Sequence, residues 1–335
     1  MKKISSVLLM ALLLAALIIL PILINSTYII IVLGQTLISI IVLMGLNFIT
    51  GLMGQMNLGT AGIMALGAYT SALLCTRLSM SPWLAMLFVI LMGCLLGVGL
   101  GYPSLRIKGI YLALTTLGFS EIIRLVLNNL IDLTGGPTGV RNIPDFNLFG
   151  YEISGARPYY YLLLAFVVVL MLIAMRVIKS KWGRAIKAIK DSDMAVEACG
   201  IKLSSIKIFA FTLCCIYGCI GGALYAHFIG YISPADFTTD TSIRYLMMLM
   251  IGGIGSTAGN VIGAIIVNIL PEMLRFLDSY YWLVFSIVVL ICSVVIPNGL
   301  VSVIRGAFKR LSARFTMSVR ENGGVKWHGE CTRNS

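Results

Sequence analysis

The chain has 335 residues, of which 59% are hydrophobic and 11% charged, with a net charge of +12. A soluble domain carries about 45–50% apolar and about 25% charged residues, so a soluble enzyme, a secreted disulfide scaffold and a disordered chain are all excluded. The composition predicts an all-α polytopic membrane protein with about ten transmembrane helices, because each crossing consumes about 20 apolar residues.

The first apolar stretch runs to residue 24 behind Met1-Lys2-Lys3. It reads as an uncleaved helix rather than a signal peptide, since no small-x-small cleavage site follows it. Further apolar blocks lie near 28–50, 58–76, 83–103, 110–130, 158–178, 208–229, 243–254, 259–277 and 281–300. With the amino terminus inside, nineteen Lys and Arg residues fall on cytoplasmic segments and five on external ones, with Arg124 within a helix. Positive residues collect on the cytoplasmic side. The distribution therefore predicts both termini in the cytoplasm, and the basic charge is assigned to that face and to anionic lipid rather than to nucleic acid. The membrane domain spans 1–304. It includes an extracytoplasmic loop, 131–157, broken by Gly135, Gly136, Pro137, Gly139 and Pro144, and a basic cytoplasmic loop, 179–207. Residues 305–335 read as a basic, partly disordered cytoplasmic tail.

The segment from Gly51 to Gly62 interrupts the apolar pattern with four glycines and the amides of Gln55 and Asn57. Unwound backbone at membrane depth is tolerated where protein buries it or a watery cavity borders it. Gln55, Asn57 and Gly59 are accordingly candidates for the substrate pathway, since free N–H groups at a half-helix start can hold a carboxylate. Close packing of helices through small residues is the preferred reading, and the two are compatible. In the block 110–130, Glu121, Arg124 and Asn128 share one helical face. They read as a polar wall of a translocation route or, preferentially, as a structural ion pair joining neighbouring helices. His227, beside Tyr225, reads as an interfacial residue.

In the cytoplasmic loop, Trp182, Ala185, Ile186 and Ile189 recur at helical spacing, with Arg184, Lys187 and Lys190 on other faces. Asp191 or Ser192 can cap a second short helix carrying Glu197 and Ala198, which Gly200 can end. Two short helices with a small apolar surface and mixed charge predict a docking element for a cytosolic partner; Trp182, Gly183, Arg184, Ile186, Ile189, Asp191, Glu197, Ala198 and Gly200 are its candidate residues. A basic loop lying on anionic lipid is the alternative, disfavoured by the acidic residues in its second half. No catalytic signature occurs. The stretch Gly252-Gly253-Ile254-Gly255-Ser256 lacks the lysine of a phosphate-binding loop, so any ATP must be bound by another chain. The eight cysteines and two histidines have no metal-ligand spacing, and no bound cofactor or metal is expected.

The motifs Gly54-Gln55-Met56-Asn57-Leu58-Gly59 and Gly67-Ala68-Tyr69-Thr70 resemble the GQ-x-S-LG…GAYT signature of bacterial ABC-importer permeases for branched-chain amino acids. The run from Arg106 to Arg124, Leu133–Gly139, Gly183–Lys190, Ala198–Ile201, Leu224–His227 and Gly252–Ser256 extend the resemblance in order along the chain. The combination looks like a LivM-type rather than a LivH-type subunit. Asn57 stands where a serine is usual. The resemblance implies a multi-pass permease of the bacterial inner membrane, working with a second, LivH-type permease subunit, two cytosolic ATPase subunits and an extracytoplasmic substrate-binding protein. It further implies that ATP is used by those partners, that leucine, isoleucine or valine is the cargo, and that 182–201 engages an ATPase. Permeases for urea, short amides or other amino acids share the scaffold and remain alternatives. An ion-coupled secondary transporter is a third, although Glu121 is then nearly the sole candidate carboxylate.

Overall fold

The computed structural model describes residues 26–107, 109–148, 151–152, 155–273 and 299–300. The expected first crossing, nearly all of the last and the basic tail lie outside them. The described chain is an all-α bundle. Helix α1, Thr27–Leu46, continues as a π-helical turn, Asn47–Met53; α2 is Thr60–Arg77, α3 Pro82–Gly101 and α4 Ile110–Asn129. The loop 131–157 carries a short helix, α5, Ile131–Thr134, before α6, Ala156–Lys179. After α6 come α7, Lys181–Asp191, and α8, Asp193–Ala198, followed by α9, Leu203–Ile229, α10, Thr239–Gly252, and α11, Thr257–Met273. Among the described residues, five stretches are long and apolar enough to cross a bilayer: Thr27–Met53, Pro82–Leu105, Ile110–Asn129, Ala156–Lys179 and Leu203–Ile229. The chain is a multi-pass membrane protein.

Helix α9 is the centre of the bundle and packs on α1, α2 and α3. The fit depends on missing side chains. Along α3, Gly93, Gly97 and Gly101 recur every fourth residue and so form one stripe against α9. A Cβ built on Gly93 would lie 2.7 Å from Ile216 Cα, one on Gly101 3.0 Å from Ile208 Cα, and one on Gly97 would collide with Thr212 Cα. In α2, a Cβ on Gly67 would collide with the Cys219 backbone. Without a hydrophobic driving force between helices in lipid, such backbone approach is the main source of association. The buried Tyr217 hydroxyl donates to Leu170 O at 2.8 Å, joining α9 to α6.

The loop 131–157 is pinned to the bundle. Strand β1, Val140–Arg141, pairs antiparallel with β4, Tyr231–Ile232, and β2, Asn147–Leu148, with β3, Tyr151–Glu152. Phe146, fully buried, packs between Trp83, Tyr159 and His227. The glycines expected to punctuate this loop do so with left-handed backbone, φ being 77° at Gly135 and 67° at Gly139.

Candidate functional site

The interruption after α1 is a packed break. Gly54 ends the π-helical turn at φ 76°, and the chain stays irregular to Gly59 before α2 begins. The donors at the start of α2 are satisfied by the chain itself. Asn57, fully buried, accepts from Gly59 N at 2.8 Å, and its amide donates toward Cys214 Sγ at 3.8 Å. Thr116 Oγ1 and Ser120 Oγ of α4 accept from Leu58 N at 3.0 Å and Gly62 N at 2.8 Å. Ser242 Oγ of α10 accepts from Ala61 N at 2.9 Å. Asn47, within the π turn, accepts from Gly255 N at 2.9 Å and touches Gly51. Close packing therefore accounts for Asn57 and Gly59, and these N–H groups are spoken for. Gln55 differs: it is half-buried and its Oε1 has no hydrogen-bond partner among the described residues.

The polar stripe on α4 pairs within its own helix. Arg124 donates from Nε to both Glu121 oxygens at 3.1 Å and closes an ion pair through its terminal nitrogen. The expected bridge between neighbouring helices is thus corrected to an i, i+3 pair, because three residues of helix bring the two side chains over one another. The side chains remain 30% and 37% exposed at the middle of α4, and Asn128 is half-buried on the same edge. Thr116 and Ser120 turn toward α2, so the stripe lies on a different edge from the break.

Residues 179–207 form the two short helices their spacing predicts. Ser180 caps α7, accepting from Gly183 N at 3.3 Å, and Ser192, rather than Asp191, caps α8, accepting from Ala195 N at 3.3 Å. Gly200 turns the chain at φ 75°. The apolar face of α7 is not available to a partner. Gly183, Ala185, Ile186 and Ile189 are buried where α7 packs on the π turn and α9, and the Lys190 stem covers Gly54, whose Cβ would lie 3.1 Å from Lys190 Cγ. Trp182 leans on Phe209, ring centres 4.9 Å apart, and stays exposed. The solvent-facing residues are Arg184, Lys187, Lys190 and Asp191 of α7, together with Met194, Glu197 and Ala198 of α8. Behind α8, Lys207 of α9 is completely buried and reaches Asp193 at 3.3 Å.

On the opposite side, His227 is 1% exposed, which corrects its expected interfacial position. Its Nδ1 lies 2.7 Å from Pro144 O and its Nε2 2.7 Å from Ser71 Oγ. A carbonyl can only accept, so Nδ1 carries the proton and Ser71 donates to Nε2. The ring ties the loop 131–157 to α2 and α9.

Comparison with known proteins agrees with this architecture. Residues 28–294 match the family described as branched-chain amino acid transport system / permease component. The chain belongs to this family. The permease is 34% identical over 297 residues to the high-affinity branched-chain amino acid transport system permease protein LivM of Escherichia coli K12, covering 82% of this chain and 70% of that protein. It is 32% identical over 303 residues to the LivM protein of Salmonella typhimurium, covering 84% and 71%. It is 24% identical over 280 residues to the ribose import permease RbsC of Haemophilus influenzae, covering 80% and 84%. No solved structure matches.

In the permease, the predicted residues divide into three places: the packed break with Gln55, Asn57 and Gly59, the α4 stripe with Glu121, Arg124 and Asn128, and the short helices α7 and α8. The break and that pair meet through Lys190 and Gly54. Sequence reasoning missed Lys207, Asn47, Thr116, Ser120 and Ser242. A lysine four residues into an apolar helix was the available signal for the first. The hydroxyls carried none, since serine and threonine occur throughout these helices.

Proposed function

We propose that this chain is the membrane-spanning subunit of an ATP-driven importer of leucine, isoleucine and valine, with ten crossings and both termini in the cytoplasm of a bacterial cell. A second permease subunit completes the pathway, two cytosolic ATPases drive it, and an extracytoplasmic binding protein delivers the cargo above loop 131–157. The permease itself holds no cofactor, and ATP is used by the ATPases.

One observation carries this reading: α8 exposes Met194, Glu197 and Ala198 while α7 is cemented to the π turn. An ATPase gripping α8 would move α7 and α8 as rigid levers. Asp193–Lys207 passes the displacement to α9, and Lys190 and Ile189 pass it to the break before α2. Packed interfaces of this kind switch between discrete arrangements rather than deform smoothly. The half-exposed Glu121–Arg124 pair supports a pathway on that edge of α4, because an ion pair facing lipid at mid-helix is expensive and such residues face a bundle interior or water. The relationship to a ribose import permease favours, as a second reading, a different small solute on the same scaffold.

The test is uptake by a strain lacking this gene, with and without its restoration. Restored accumulation of labelled leucine, isoleucine and valine, competed by one another and not by ribose or urea, is the expected result. Restored uptake of ribose or urea alone would reject the amino-acid assignment.

A further inference from the structure

Helices α1, α10 and α11 and the turn Pro234–Asp236 surround a cavity of about 180 Å³. Its wall carries two opposite charges, Asp236 and Arg244, beside the amide of Asn268 and the apolar surfaces of Ile38, Phe237 and Met248. The charges do not neutralise one another, and each is half engaged. Asp236 accepts through Oδ2 from Ser233 N at 2.8 Å and from Ser233 Oγ at 3.2 Å, whereas its Oδ1 makes no hydrogen bond among the described residues. Arg244 donates one terminal nitrogen to Asn268 Oδ1 at 3.1 Å and Val267 O at 3.5 Å, leaving Nε and the other terminal nitrogen without a partner among the described residues. Beside Phe237, ring centres 6.4 Å apart, Tyr69 is buried with a hydroxyl that has no partner among them either.

We propose that this cavity binds an amino-acid zwitterion inside the permease. The free edge of the Arg244 guanidinium receives the carboxylate, for which its planar donors are matched. Asp236 Oδ1 faces the ammonium group, and Ile38, Phe237 and Met248 take an aliphatic side chain. A solute with one charge or none leaves one of the two wall charges without a counter-charge, so the cavity discriminates by the pair of charges. This site rests on the amino-acid assignment made above and names where in the subunit the solute is held.

The test uses the complete transporter in cells. With Arg244→Gln, the KM for leucine is expected to rise about tenfold or more, as loss of a charged hydrogen bond implies, with the maximal rate little changed; Arg244→Lys should recover part of it. In a second arm, Gln35→Cys, on the cavity wall, is labelled from outside with a membrane-impermeant thiosulfonate, using the parent chain as the background. Leucine should slow the labelling, whereas 4-methylpentanoate and isoamylamine, each lacking one charge, should not. Leucine uptake with an unchanged KM in Arg244→Gln, or labelling indifferent to leucine, overturns the cavity and leaves the transport assignment intact. A transporter that carries no leucine overturns both.

Discussion

Lys207 Nζ lies 3.3 Å from Asp193 Oδ2, with the lysine side chain wholly shielded from solvent and the aspartate side chain 22% exposed. A buried ammonium is tolerated only when a carboxylate or comparable acceptor meets it, so this contact fixes α8 on α9. Lys207→Met and Asp193→Asn should each loosen the loop 179–207 by about 1.5–3 kcal/mol. The double variant should cost little more than either single one, since both remove the same contact. Proteolysis of 179–207 in inside-out vesicles measures this, and additive effects would count against a shared strut.

Helices α7 and α8 should respond differently to a carboxylate. Ala198→Glu, on the exposed face of α8, should release the ATPase during purification while the bundle stays folded. Ile186→Glu, at a fully buried position, should instead destabilise the subunit itself by roughly 2–5 kcal/mol, the scale for a buried polar group without a partner. Co-purification and thermal melting of the membrane-extracted protein separate the two effects.

The stripe on α3 gives an internal control. A Cβ on Gly97 collides with Thr212 Cα, while one on Gly99 meets nothing within 4 Å. Gly97→Leu should destabilise packing of α3 on α9 by about 1–3 kcal/mol or more, and Gly99→Leu should be nearly silent. Equal melting temperatures for the two variants would show that α3 does not seat on α9 in this register.

Ser71→Ala removes the hydroxyl that donates to His227 Nε2 at 2.7 Å. The imidazole nitrogen is then buried without its donor, at a cost of about 1–3 kcal/mol. Hydrogen exchange should rise in residues 140–147, which the Pro144 carbonyl holds to the same ring, and remain unchanged in α7 and α8. No change in the external loop would remove His227 from its role as a tie.

The helices between 28 and 273 were legible because apolar length and turn residues are written locally, and five of these stretches are long and apolar enough to cross a bilayer. The structure begins α9 five residues earlier than the apolar run at 208, at Leu203, because Ile206 and Lys207 are buried against the loop. Helices α7 and α8 were also legible, from the spacing of Ile186 and Ile189 and from Ser192 and Gly200. Which face they use was not. An apolar stripe looks the same whether a partner or the chain's own π turn covers it, and only the tertiary contact of α7 decides that. His227 was misplaced for a similar reason: a histidine near a helix end is ordinary at a membrane surface, and the loop that buries it arrives from more than eighty residues away. The α2 donors read as a possible carboxylate cradle because their partners, Thr116, Ser120 and Ser242, are distant in sequence.

The account stands on the permease being worked from the cytosol through 182–201. The most direct measurement is leucine uptake in cells whose partner ATPase has its phosphate-binding lysine replaced, with the proton gradient intact. Uptake should cease although the permease and the mutant ATPase remain associated. Continued accumulation that vanishes when a protonophore is added would contradict it.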